Sequence, residues 1–212
     1  AGARLMPRVL AYGDSNTYGT LPSARLGESE VLPKGHRWAD HMGAALGDDW
    51  EVIVEGLPGR TTVFDDPKEG AFRNGLTVLP AILYSHAPID VLVVCLGTND
   101  QQSQFGLGAA DVALCLARLL RDPSVAETCG AALAICPPPL LERGEAALLF
   151  QGVEARVGDL WPAVERWVPE TGAKLFRAGD VIAVDGLDGI HWDAAAHQAL
   201  GQAVAPVVTG LT

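Results

Sequence analysis

Five short apolar runs, at residues 9–12, 52–54, 91–96, 131–136 and 174–176, constrain this chain more than any other feature of it. The central runs are apolar on consecutive residues. A strand with one wet face alternates apolar and polar residues, whereas consecutive apolar residues mark a parallel strand covered by helices on both faces. Amphipathic stretches fill the intervals, at 38–46, 76–85, 109–121, 145–168 and 194–208, and read as helices. This alternation predicts an α/β fold, a three-layer αβα sandwich around a five-stranded parallel sheet. Pro162 falls inside the fourth helical stretch, where a missing backbone donor and a crowded preceding turn predict a kink or break. Two loops rich in proline and glycine, 21–35 and 65–75, are longer than simple connections and are candidate functional excursions. No repeat or linker-like change of composition divides the chain, so residues 1–212 are expected to form a single domain.

The charge balance narrows the partners. A formal net charge of -11, scattered rather than gathered into blocks, repels phosphate backbones and anionic headgroups, so neither nucleic acid nor a membrane is an expected partner. Cys95, Cys115, Cys129 and Cys136 lie in apolar contexts such as VLVVCLG and ALAICPPP, with no CxxC or Cys/His spacing. They read as buried thiols, which argues against a zinc site or a disulfide framework and fits a reducing compartment. No apolar run is long enough to span a bilayer, and the first strand begins too early to leave room for a secretory signal, so the expected location is cytoplasmic. Oligomeric state is not legible, although the long loops and apolar helical faces offer surface that a homo-oligomer could bury.

In a parallel α/β sheet, ligands bind where strands end and helices begin, so the residues after each apolar run carry the chemistry. The first run ends in GDSNT. Ser15 would stand near a helix start, where free N–H groups can hold an oxyanion, yet Asp14 or Ser15 serves equally well there as a simple helix cap. The second run ends in EGLPGRTT, where Gly59 could offer its N–H to a carbonyl oxygen. The third ends in LGTND, where the Asn99 side chain could donate another hydrogen bond. Either feature alone is ordinary turn chemistry. After the fifth run, in VDGLDGIHWD, Asp188 and His191 are spaced so that one turn brings carboxylate to imidazole, the pair a serine nucleophile requires. Asp180 and Asp185 compete for the orienting role, and Asp193 suits the cap of the last helix. His36 sits in a loop, while His41, His86 and His197 fall within or at the end of helical patterns without an acidic orienter. Asp65 and Asp66 read as a solvated acidic pair. Tyr12, Tyr18, Trp38, Phe64, Phe72 and Trp192 are candidates to line a substrate pocket, although each is equally an ordinary core or surface ring. No GxSxG elbow, Walker loop or HExxH motif is present. A phospho-acceptor module of similar architecture would want more acids at the first strand end and a lysine after the last strand, and this chain has neither.

Taken together and in order, GDSN at 13–16, the glycine of GLPGRT, GTND at 97–100 and DGIH at 188–191 resemble the SGNH hydrolases, also called the GDSL esterase/lipase family. The resemblance covers nearly the whole chain. It implies a flavodoxin-like fold, Ser15 as nucleophile, His191 as base and Asp188 as its orienter. It also implies an oxyanion hole made of the Ser15 and Gly59 N–H groups and the Asn99 side chain, with no metal or organic cofactor. EGLxxRTT at 55–62 and PPPL at 137–140 are similar to bacterial aryl esterases and acyltransferases within that family. The expected reaction is hydrolysis of small acyl esters, acetyl esters foremost, of aryl or simple alcohols, with water or another alcohol as acceptor; deacetylation of a sugar is the nearest competitor. Asn16 departs from the leucine of the family's name, and few aromatic residues follow Ser15. No long apolar lid segment is evident.

Overall fold

A computed structural model describes residues 6–212. Its five strands are β1 (Arg8–Gly13), β2 (Glu51–Gly56), β3 (Ile89–Cys95), β4 (Cys129–Cys136) and β5 (Lys174–Arg177), each within a few residues of an apolar run. All pair in parallel, in the order β2-β1-β3-β4-β5. The apolar density of the runs has its expected cause. Val9 to Tyr12 on β1 and Val91 to Val94 on β3 have no exposed surface, while the edge strand β2 is half-buried and carries glutamates at both ends.

The helices are α1 (Ser15–Tyr18), α2 (Trp38–Leu46), α3 (Gly75–His86), α4 (Ala109–Leu120), α5 (Pro123–Thr128), α6 (Val153–Arg156), α7 (Trp161–Trp167) and α8 (Ala194–Thr209). The chain steps outward from β1 to β2, then crosses back over β1 to β3 and continues in the same direction to β5. Right-handed crossovers then place α2 on one face and α3, α4 and α7 on the other. After β5 the chain returns through α8, which packs along α2. That approach is close: a Cβ on Gly201 would stand 2.3 Å from the Trp38 carbonyl oxygen, so α8 has a glycine where it crosses α2.

Two expectations about helices need correction. Residues 145–168 are not one helix kinked at Pro162: they form a 3-10 turn (Glu145–Leu148), then α6, then α7. The interruptions fall at Gly152 and around Gly158. Pro162 instead occupies the first turn of α7, where no backbone donor is needed. The other omission is α5, whose start signal is complete in the sequence: Asp122 caps the Ser124 N–H and Pro123 opens the helix. The thiols also differ from expectation. All four are free, but only Cys95 and Cys136 are buried, whereas Cys115 and Cys129 are partly exposed.

Candidate active site

The order of strands reverses between β1 and β3, and the loops beyond their C-terminal ends form the site. Ser15 opens α1 directly after β1. Its ambiguity between cap and functional group resolves locally: the Asp14 carboxylate is the cap, accepting from the Asn16 N–H at 3.0 Å, which leaves the Ser15 hydroxyl for another partner. That partner is His191 Nε2, 3.0 Å from Ser15 Oγ. His191 Nδ1 lies 2.8 Å from Asp188 Oδ2. Ser15 and His191 come together across most of the chain, because the segment after β5 returns to the end of β1.

Asp188 is fixed on every side. Its Oδ1 accepts from the Ile190 and His191 backbone N–H groups, both at 2.9 Å, and its Oδ2 accepts from the Ser23 N–H at 3.1 Å as well as facing the imidazole. Burial alone would raise this carboxyl, but the hydrogen bonds from the His191 ring and backbone and from Ile190 outweigh it and hold Asp188 below the usual carboxylate range. It is therefore an anion at neutral pH, aimed at Nδ1, and it favours the tautomer that leaves Nε2 free to accept from Ser15. Asp185 does not compete. Its backbone closes the turn, accepting from the Gly189 N–H at 2.8 Å, and its carboxylate takes the Leu187 N–H. Asp180 pairs with Arg177, and Asp193 caps α8 through the Ala196 N–H.

Gly59 and Asn99 reach the same pocket, a cleft of about 430 Å³ lined by Ser15, Gly59, Asn99 and His191 among others. Gly59 holds φ at 78°, in the left-handed region, and a Cβ there would collide with the Arg73 guanidinium, so both backbone and neighbour require glycine. Asn99 starts a 3-10 turn after β3 (Asn99–Gln101) and is 6% exposed. Its Nδ2 donates to the Arg60 carbonyl at 3.1 Å, which ties the loop after β3 to the loop after β2. A second tie lies beneath it. The buried Asp100 carboxylate accepts from the Thr62 N–H at 3.1 Å and from the Thr62 hydroxyl.

The buried carboxylates behind the site have a cost that pH can expose. Burial pushes Asp14 up to about 6, against the pull of its hydrogen bond from Asn16, and it pushes Asp100 up to about 6 against the hydrogen bonds from Thr62. A carboxyl whose pKa is higher folded than unfolded holds its proton better in the native state. Its contribution to stability is full below about pH 4 and is lost as the pH rises through about 6. Replacing Asp100 with asparagine removes one such group. We expect the melting temperature of the wild type, relative to Asp100→Asn, to fall between pH 4 and pH 6 and to level off above. A difference that stays flat across that window would show that the Asp100 carboxyl is not perturbed.

The remaining sequence candidates lie elsewhere. His197 is fully buried, and burial lowers its imidazole to about 4; neutral, it accepts the Trp38 N–H at 3.0 Å as the start of α2. His86 faces Glu55 at 3.5 Å across the back of the sheet's edge. None of the six aromatic candidates lines the pocket. Tyr12, Trp38 and Trp192 are core, Phe64 packs on Phe105, and Tyr18 and Phe72 are exposed. The apolar wall is instead Leu26, Ala146, Leu149, Phe150 and Ile190. Its segments are stitched together by the Leu26 N–H to Glu145 Oε2 and the Glu145 N–H to the Ala24 carbonyl, both at 3.1 Å. Nor is Asp66 solvated. It is 5% exposed and accepts from the Lys68 and Glu69 N–H groups, organising the loop that presents Arg73.

Residues 11–199 match the model of the GDSL-like lipase/acylhydrolase family. The chain belongs to that family. It is accordingly a carboxylic ester hydrolase, with the α/β architecture of the SGNH hydrolases. Among solved structures, this acylhydrolase is similar to a carbohydrate acetylesterase from Sinorhizobium meliloti, with 34% identity and a TM-score of 0.89 over 97% of this chain and all of the other. It is similar also to the native aryl esterase of M. smegmatis, with 34% identity and a TM-score of 0.88 over the same shares. A putative arylesterase from Agrobacterium tumefaciens shares 33% identity at a TM-score of 0.86, over 98% of this chain and all of the other. No curated protein sequence matches the chain. Among the described residues, no helix is long and apolar enough to cross a membrane.

Proposed function

We propose that residues 1–212 form one domain that hydrolyses small acyl esters, acetyl esters foremost, with Ser15 as nucleophile, His191 as base and Asp188 as its orienter. The observation that carries this reading is the unbroken chain of contacts from Asp188 through His191 to Ser15 Oγ, at 2.8 and 3.0 Å, on the wall of one pocket. As Oγ attacks the ester carbonyl, its proton passes to His191 Nε2. The new oxyanion accepts hydrogen bonds from the Ser15 and Gly59 N–H groups and from Asn99 Nδ2. Collapse expels the alcohol, protonated by Nε2–H, and leaves an acyl group on Ser15. Water then enters, gives its proton to Nε2 and attacks the acyl carbon, and a second collapse frees Ser15. A second alcohol in place of water would yield a new ester by the same steps.

Size supports short acyl groups. A pocket of about 430 Å³ is near the small end of ligand sites, which run from roughly 300 to 1,000 Å³, and the wall from Ala146 to Phe150 closes one side of it. The similarity to aryl esterases supports aryl or simple alcohols on the leaving side. The free thiols support a reducing, cytoplasmic setting. The test is labelling with a fluorophosphonate probe together with an ester panel in which acyl length and alcohol vary separately. We expect one label per chain, on Ser15, and a preference for acetyl over longer acyl groups. An intact chain that takes no label and cleaves no aryl ester would overturn the reading.

One observation favours a carbohydrate ester as a second reading. Arg73 and Glu69 both line the pocket, with a guanidinium nitrogen 3.4 Å from Glu69 Oε2 and the Asp66 carboxylate 3.7 Å away on the buried side. A donor and an acceptor side by side suit a pair of neighbouring hydroxyls, each of which both donates and accepts. The flanking acids balance the arginine, so a neutral polyhydroxylated alcohol fits better than an anion. A hydrogen bond to a charged group is worth about 1.5 to 3 kcal/mol, or roughly 10- to 100-fold in rate. Arg73→Leu should therefore lower kcat/KM for an acetylated sugar, relative to that for phenyl acetate, at least about tenfold. An unchanged ratio would remove this reading.

A further inference from the structure

We propose that Gln102 is a positioning residue that fixes which end of the Asn99 amide faces the substrate, and that it acts as the middle link of a chain of amides anchored on the Arg60 carbonyl. The inference rests on Asn99 as an oxyanion donor. An asparagine amide is nearly symmetric in shape but opposite in function at its two ends. Its NH₂ stabilises an oxyanion, whereas its C=O, turned the same way, repels one. Placing Asn99 at the rim is therefore not enough, because its rotation must also be held.

Three groups hold it, two directly and one through its neighbour. Asn99 Nδ2 donates to the Arg60 carbonyl at 3.1 Å, Asn99 Oδ1 accepts from Gln102 Nε2 at 3.2 Å, and Gln102 Oε1 accepts from Gln104 Nε2 at 2.8 Å. Each glutamine amide could in principle reverse, passing the reversal to its neighbour. The Arg60 carbonyl cannot, because it only accepts, and a reversed chain would press Asn99 Oδ1 against it. The direction of the whole chain is thus set at Arg60. Arg60 is itself pinned: its guanidinium donates to the Gly13 carbonyl at 2.9 Å and to the Glu55 carbonyl, and it lies 4.2 Å over the Tyr12 ring. Asn99 and Gln102 are both buried and stand three residues apart across the 3-10 turn, which brings them onto one side. With one Nδ2 hydrogen on Arg60 and Oδ1 on Gln102, the second Nδ2 hydrogen is left for the pocket.

Substitutions at Gln102 separate this role from packing. Gln102→Ala removes one of two constraints while Arg60 still favours the working rotation, so kcat should fall about threefold to tenfold with KM little changed. Gln102→Glu keeps the shape but cannot donate to Asn99 Oδ1 when ionised. It instead draws Nδ2 away from the pocket, so its loss in kcat should exceed that of alanine and approach the roughly 100- to 1000-fold expected for Asn99→Ala. The decisive measurement repeats both substitutions in the Asn99→Ala background, with melting temperatures to confirm folding. If Gln102 works through Asn99, neither change costs anything further there. Losses that persist in that background, or a fully active Gln102→Glu, overturn the proposal while leaving Ser15 as nucleophile. An Asn99→Ala variant with near-normal turnover overturns the oxyanion assignment and the proposal with it.

Discussion

Ser15→Ala should lower ester hydrolysis by at least about 10⁴-fold, while the chain melts within a few degrees of wild type. Loss of a serine nucleophile from a triad elsewhere costs on the order of 10⁶ in kcat, and what survives comes from binding and the oxyanion donors. Here those donors are untouched, since alanine keeps the residue-15 N–H, Gly59 and Asn99. Stability should hold because the helix does not depend on the hydroxyl. Asp14 caps α1, and Ser15 Oγ engages only the part-buried His191 ring. A large drop in melting temperature would mean that the hydroxyl is structural. Steady-state rates on phenyl acetate and on a slower alkyl acetate, corrected for spontaneous hydrolysis, read the chemistry. A variant that keeps more than a few percent of activity on both would rule out Ser15 as nucleophile.

What the sequence made legible follows from which signals are local. Consecutive apolar residues at 91–96 reveal a strand covered on both faces because every residue there is buried, and the resulting sheet order brings the ends of β1 and β3 together. Asp188 and His191 were readable for a similar reason: three residues of separation let one turn bring the carboxylate to the ring. The stretch 145–168 misled because short turns and short helices can bury apolar residues at that spacing as well as one continuous helix does. Leu149 and Phe150 line the pocket, where glycines break the chain into short turns. Asp66 looked solvated because nothing in a DDP tripeptide records that one carboxylate turns inward to cap the following turn. Arg73 and Gln102 carried no mark at all. Arg73 matters through its packing against Gly59, and Gln102 through the rotation of Asn99, which the Arg60 carbonyl sets only when the loops after β2 and β3 meet.

Asp188→Asn should cost about 10⁴-fold in kcat, far more than the small change in shape implies, because the surroundings dictate which way the new amide turns. Oδ1 accepts from two backbone N–H groups, of Ile190 and His191. An asparagine must keep its oxygen there, since its NH₂ in that position would face two donors. The NH₂ then takes the place of Oδ2, where it points at His191 Nδ1 and at the Ser23 N–H. Nδ1 is forced to accept, so the ring proton moves to Nε2, the nitrogen that faces Ser15 Oγ at 3.0 Å. That tautomer cannot take the serine proton. Because the fault lies in the resting tautomer rather than in a lost contact, KM should change little, and Asp188→Ala, which imposes no tautomer, should be no worse than Asp188→Asn. Nitrogen-15 spectra of the His191 ring at neutral pH report the tautomer directly. We expect the Nδ1–H form in wild type and the Nε2–H form in Asp188→Asn; an unchanged tautomer with the same loss of rate would show that Asp188 acts by its charge alone.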